Sequence, residues 1–289
     1  MSFKLKWAGR CLDLDQRTHI MGVLNITPDS FSDGGMYFDR DKAVEHALAM
    51  ERAGADFIDI GGESTRPFSE GISNDEEKAR VIPVIERLAE SLSVPMSIDT
   101  CKAEVAQAAL AAGASIINDI SALRVDGDLA GVAADARVPV ILMHMQGTPK
   151  NMQRNPRYRD LMGEIKAFLA RAVERALSAG VREDRIIVDP GIGFGKTLDH
   201  NLQIIRDLSD FQSLGKPVLI GPSNKTFIGH ILGKEAHERD AGTMAAVAAG
   251  VMNGAHVVRV HRVKMAVETV RMIDAIKGGR FRAASSNDS

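Results

Sequence analysis

At 289 residues the chain is long for an ordinary domain but suits one β/α barrel, which takes roughly 250 residues around a single core. Its 45% hydrophobic and 26% charged residues exclude a disordered or fibrous chain, and a net charge of −2 excludes a global field for nucleic acid or membrane. Two distant cysteines, Cys11 and Cys101, exclude a disulfide scaffold or a CxxC zinc site; with no apolar run near about 18 residues and no signal-peptide core in MSFKLKWAGR, a soluble cytoplasmic protein with small-molecule partners is expected, engaging neither nucleic acid nor membrane.

Residues 3–6 and 11–14 alternate apolar with polar around Ala8, Gly9 and Arg10, the pattern of a short hairpin placed to plug one end of a barrel. A strand from Ile20 to Ile26 leads into TPDSFSDGG, whose turn formers predict a mobile loop. Asp41 caps a helix to Gly54, FIDI is the second strand, and GGESTRP follows as a loop. Asn74 caps a helix ending near Leu92, PMSIDT is the third strand, and a helix from Lys102 to Ala112 stops at Gly113.

ASIIND is the fourth strand, 126–137 is helical, and PVILMH, apolar on both faces, is a buried fifth strand. An amphipathic helix from Tyr158 to Ala179 precedes RIIVD, the sixth strand, and a glycine loop opens a helix from Leu198 to Phe211. KPVLIG is the seventh strand, SNKTFIG begins a helix, 240–253 is a second one, HVVRV is the eighth strand, and a helix over 264–277 closes the ring. The last dozen residues, 278–289, read as a frayed, disordered tail after a single domain spanning 1–277.

These strands recur roughly every 25 to 40 residues and end at Asn25, Gly61, Asp99, Asn118, His144, Asp189, Ser223, and Arg259 with His261. A parallel (β/α)8 TIM barrel of the α/β class writes its active site this way, because the loops leaving the strand C-termini open onto one face. Singly, an Arg or His at a strand end is more often a structural hydrogen-bond partner; the shared barrel face raises the odds of function.

Asp99 and Asp189 leave apolar strands, an expensive place for charge without a partner. Either they cap the next helices or they accept hydrogen bonds from a ligand. With the Asn118 amide and the Lys225 ammonium, read as leaving the seventh strand, they suit a neutral heterocycle edge better than a phosphate. Arg259 and His261, two apart, share one side of the eighth strand and offer a phosphate site, with Asn25 as neighbour. The segment from Ser223 to Thr226 enters a helix whose free N–H groups attract an anion. GIGFGK followed by Thr197 misses the first glycine of a phosphate-binding P-loop, where Pro190 stands, and reads instead as a turn that aims Asp189 inward with Phe194 as a wall.

The strings MGVLNITPDSFSDGG, GGESTRP, SIDT, INDI, LMHMQGTP, DPGIGFGKT, HNL, NKTFIG and RVH resemble the dihydropteroate synthases of folate biosynthesis over about residues 18–277. The resemblance implies a transferase that joins p-aminobenzoate to 7,8-dihydropterin-6-ylmethyl diphosphate with Mg2+, releasing pyrophosphate. It implies that Asp99, Asn118, Asp189 and Lys225 grip the pterin, with Met143, Gly221 and Phe194 lining its pocket. Arg259, His261 and Asn25 would hold the diphosphate, Asn25 also reaching the metal. Asp33, Thr65, Arg66 and Pro67 would help place p-aminobenzoate, and Thr226, where the family usually has serine, would receive its carboxylate at the helix start, with Ser223 a further substrate-binding residue. A homodimer also belongs to the resemblance, as does membership of an enzyme class targeted by sulfonamides.

The chain departs from the usual SRK and RVHD at Asn224 and Arg262. Those departures leave open a specialised, non-catalytic pterin-binding paralogue; a second alternative on the same barrel, a pterin-dependent methyltransferase acting on a corrinoid protein, would need the pterin grip but neither the diphosphate ligands nor the SDGG and STRP loops, which are present here.

Overall fold

The buried apolar residues of the central strands fall alternately into two cores. Met21, Phe57, Ile116, Ile141, Ile187, Leu219 and Val257 form an inner cluster, while Ile20, Ile58, Ile117, Val140, Ile186, Ile220 and Val258 join an outer one. A strand alternates its faces with period two, so a parallel sheet covered on both sides reads as continuous apolar runs. A computed structural model describes residues 3–27, 35–65 and 69–278, with side chains over 35–39 left aside. The expected tail beyond Gly278, most of the TPDSFSDGG loop, and Asp33, Arg66 and Pro67 lie outside the described residues.

The chain opens with β1 (Lys4–Trp7) and β2 (Arg10–Asp13), an antiparallel hairpin whose turn residues Ala8 and Gly9 have φ of 43° and 75°. Such a turn matches the strands' right-handed twist, and glycine adopts it without strain. Leu5, Trp7 and Leu14 pack into the inner cluster, so the hairpin closes one end of the barrel as its alternation predicted.

Eight parallel strands follow: β3 (His19–Asn25), β4 (Phe57–Gly61), β5 (Met96–Asp99), β6 (Ile116–Asp119), β7 (Val140–Met143), β8 (Ile186–Asp189), β9 (Leu219–Ile220) and β10 (Val257–Val260). Their order is β8-β7-β6-β5-β4-β3-β10-β9, and a single bridge between Val188 and Val218 joins the outer two into a barrel. The helices α1 (Gly35–Arg52), α2 (Asn74–Ala89), α3 (Ala103–Ala112), α4 (Leu129–Ala136), α5 (Leu161–Ser178), α6 (Leu198–Arg206), α7 (Thr226–Leu232), α8 (Asp240–Met252) and α9 (Val263–Ile276) cover the outer core.

Several boundaries differ from the sequence reading. Helix α1 starts six residues before Asp41, whose carboxylate pairs instead with Arg87. The cap of α2 is Ser73, which accepts from the Glu76 N–H at 3.1 Å, leaving Asn74 to donate to Glu104. Pro83 lies inside α2 and has no N–H for the Ala79 carbonyl; Arg40 donates to that oxygen at 3.1 Å instead. Helix α6 ends at Arg206, and a 3-10 stretch over Leu208–Leu214 completes the segment.

Candidate active site

One step along the strands from the inner apolar cluster, the inward-facing positions turn polar. Register pairs Asp59 of β4 with Ser97 of β5, Asp99 with Asn118 of β6, and Met143 of β7 with Asp189 of β8. Two residues past the clustered Val257, Arg259 of β10 takes the same inward parity. The barrel's apolar floor thus gives way to charged groups near the strand C-termini, the catalytic end of such folds.

Arg259 organises this layer. Its Nε donates to Asp59 Oδ2 at 2.6 Å and its Nη2 to Asp99 Oδ2 at 2.8 Å. Asp59 also accepts from Ser97 Oγ, and from Asn118 Nδ2 at 3.0 Å. Asp59 is fully buried, and this set of partners is what a buried charge requires. Burial pushes the Asp99 carboxyl up to about 7, Arg259 pulling it back and Asp59 adding like charge.

On the opposite strand, Asp189 accepts from the Gly191 N–H at 2.7 Å. Gly191 has φ of 71°, and a β-carbon there would overlap the His144 carbonyl, so only glycine permits this turn. Burial raises Asp189 to about 6, against the Gly191 N–H and Lys225. Lys225 is held at about 8, lowered by burial and Arg259 and supported by Asp189 and Asp99. Its Nζ stands 4.1 Å from the centre of the Phe194 ring, a cation-π contact. Phe194 itself packs with Met143, Met145, Met152 and Ile120 in a third apolar cluster.

Lys225 leaves from a different element than the sequence suggested. It is the residue before α7, five positions beyond the end of β9. Thr226 opens α7 and is exposed. Ser223 is buried, with Oγ 2.8 Å from His261 Nδ1, and it accepts from the His261 N–H at 3.3 Å. A β-carbon on Gly221 would lie 3.7 Å from that of Arg259, and one on Gly61 would lie 3.7 Å from Asp99 Oδ2 and 3.8 Å from Asn25 Oδ1. Gly221 therefore flanks Arg259, and Asn25 stands at the Asp99 side of the mouth. Thr65 is half-buried in the loop after β4.

Both departures from the family strings have local explanations. Asn224 sits at φ of 58°, a left-handed position that asparagine tolerates; its N–H donates to Thr243 Oγ1 at 3.1 Å and its carbonyl accepts from Arg239 Nη1 at 3.0 Å. Arg262 turns outward to Asp240, at 3.2 Å.

Sequence reasoning missed two groups. Asp59 interrupts the FIDI run from within, a charged residue where a buried strand should be apolar, and that was its signal. Lys196 is 3% exposed and donates to the Phe194 carbonyl at 2.9 Å and to His144 Nδ1 at 3.0 Å. Burial lowers Lys196 to about 7 and, with Lys196 and Arg124, His144 to about 2, so the imidazole is a neutral acceptor.

A barrel whose strand ends converge on two buried carboxylates, an amide, a lysine and an arginine is an enzyme for a small polar ligand. The profile of the family described as pterin binding enzyme matches residues 21–261. Dihydropteroate synthase of Bacillus subtilis is 50% identical over 270 residues, 93% of this chain and 92% of that protein. The crystal structure of Yersinia pestis dihydropteroate synthase with a sulfonamide drug superposes with a TM-score of 0.90 at 45% identity, over 95% of this chain and 99% of that one. Xanthomonas albilineans dihydropteroate synthase with 4-aminobenzoic acid gives 0.89 at 44% identity, over 96% and 99%. The chain belongs to the pterin-binding enzyme family, among its dihydropteroate synthases.

Proposed function

We propose that this transferase condenses 7,8-dihydropterin-6-ylmethyl diphosphate with p-aminobenzoate, giving 7,8-dihydropteroate and pyrophosphate. The observation that carries the reading is the polar layer: Asp59, Asp99, Asn118 and Arg259 joined by hydrogen bonds, and Asp189 and Lys225 electrostatically coupled to them.

The roles follow from charge. The bond from the methylene carbon to the diphosphate oxygen breaks, leaving a positive, ring-delocalised methylene; the amine nitrogen forms the new bond and gives up a proton. Asp99, Asp189 and Asn118 hold the pterin's polar edge and stabilise that positive charge, while Lys225, Arg259 and His261 face the leaving diphosphate. Met143, Phe194 and Gly221 shape the ring's slot. Asp33, Thr65, Arg66 and Pro67 position p-aminobenzoate, whose carboxylate lies towards Ser223 and Thr226. An amine nucleophile needs placement more than activation.

The residues fit magnesium carried in with the diphosphate. Among the described residues no group of three or more His, Cys, Asp or Glu side chains could hold a metal ion. A hard cation that keeps its waters and phosphate oxygens needs only one or two protein oxygens, and Asn25 at the mouth would supply one. When bound, the metal would neutralise charge developing on the leaving group.

Exposed apolar side chains on α7 to α9, including Ile231, Leu232, Met265 and Met272, support a homodimer, testable by light scattering. Among the described residues no helix is long and apolar enough to cross a membrane. The deciding experiment for the function is pyrophosphate release from both substrates with magnesium. Absence of turnover by folded protein that still binds the pterin would refute it.

A further inference from the structure

Three oxygens from three stretches of chain meet on one ammonium beside the loop that follows β4. Lys102, immediately before α3, donates to Glu63 Oε2, to the Ile72 carbonyl at 2.7 Å and to Glu77 Oε2 at 2.7 Å. Glu63 and Ile72 lie on the two limbs of the loop; Glu77 belongs to the first turn of α2 and is 1% exposed. Two more bonds tie the same neck. Ser69 Oγ donates to the Ser64 carbonyl at 2.6 Å, and Arg80 Nη1 donates to the Gly62 carbonyl at 2.8 Å.

We infer that Lys102 is a positioning residue, which clamps both limbs of the 62–73 loop to α2 and so sets where Thr65 stands at the mouth of the barrel. The inference rests on the proposed reading that the segment opened by Thr65 receives p-aminobenzoate. Charge-assisted bonds to a part-buried ammonium are strong and directional, and one donor with three acceptors fixes the spacing of the limbs. A neutral side chain at 102 frees both limbs at once and leaves Glu77 as a buried charge without a cation. Glu77 also adds to the charge that raises Asp99, so the neck and the pterin site share one electrostatic surrounding.

The test is steady-state kinetics with each substrate varied, on Glu63→Gln, Lys102→Met, Lys102→Arg and Thr65→Val. Glu63→Gln and Lys102→Met should raise the KM for p-aminobenzoate on the order of tenfold, since misplaced contacts act on the substrate they position. The KM for the pterin diphosphate should stay within about twofold, and Lys102→Arg should restore most of the loss. Hydrogen exchange over 62–73 should quicken in Lys102→Met.

If Thr65→Val raises the KM for p-aminobenzoate while the Glu63 and Lys102 variants do not, the positioning role is overturned. Equal losses for both substrates would also overturn it, marking Lys102 as general support. If Thr65→Val has no effect, the substrate reading of the segment fails, and exchange over 62–73 alone decides whether Lys102 clamps the loop: unchanged exchange rejects it. Should Lys102→Met fail to fold, Glu63→Gln decides, because it leaves the buried Lys102–Glu77 pair in place.

Discussion

The ammonium of Lys225 stands 4.1 Å over the Phe194 ring, so the aromatic wall and the cation before α7 hold each other in place. The lysine chain also packs against Gly193, where a β-carbon would come within 2.8 Å of Lys225 Cδ. Because the group is placed before substrate arrives, Lys225→Ala should lower kcat about a hundredfold, the usual loss for one preorganised electrostatic group. Wild-type turnover in the folded variant would remove Lys225 from the chemistry.

Asp59 holds Arg259, Ser97 and Asn118 together. Asp59→Asn leaves Arg259 with Asp99 alone, and losing one partner of a buried pair costs about 3–5 kcal/mol when both are fully buried. Arg259 keeps a fifth of its side chain exposed, so the expected loss is smaller, about 2 kcal/mol in urea denaturation, with a higher KM for the pterin diphosphate. Unchanged stability and kinetics would mean that the guanidinium is oriented by Asp99 alone.

The polar layer gives two pH effects of opposite sign. Asp99 at about 7 and Asp189 at about 6 both titrate above the ordinary 3.8 of an unfolded aspartate. The folded state therefore holds the extra protons from about pH 4 to 7, and the stability of the empty protein falls as pH rises through that window. Lys225 at about 8 lies below the ordinary 10.5, so its contribution is lost as pH falls through about 8. Chemical denaturation should show the wild type losing stability relative to Asp99→Asn between about pH 5 and 7.5. If ionised Asp189 holds the pterin, as proposed, binding should instead weaken below about pH 6, and Asp189→Asn should weaken it at every pH. Flat calorimetric affinity across that range would contradict the assigned role.

The hairpin end of the barrel should govern stability without touching chemistry. Trp7 is 2% exposed and lies in the inner cluster, so Trp7→Ala should cost about 3–5 kcal/mol while the folded fraction keeps its KM values. Its indole Nε1 has no hydrogen-bond partner among the described residues, so Trp7→Phe should cost far less. Altered KM values in folded Trp7→Ala would reveal coupling between the two ends.

Much of this was legible because the strands announce themselves: apolar runs of strand length, each stopped by a side chain with little reason to be buried. Asp99, Asn118, Asp189 and Arg259 follow from that pattern. Asp59 escaped because it sits inside its run, two positions before the strand end, where only the period-two alternation marks it as facing inward. The start of α1 was hidden by Gly34 and Gly35, which look like turn residues, and by Asp41, which looks like a cap. The Lys102 contacts and the Lys196–His144 pair are meetings of residues 25 to 52 positions apart, which no local pattern encodes.

In chain order the first barrel strand pairs with the last: β3 meets β10 from His19 to Gly22 against Val257 to Val260. During synthesis the earlier strands wait with an unpaired edge until some 240 further residues have left the ribosome, a long interval in which such edges invite wrong neighbours. The strand that ends this wait also brings Arg259, so a nascent chain gains a partner for its first strand and its guanidinium in the same step, and one truncated before it would have neither.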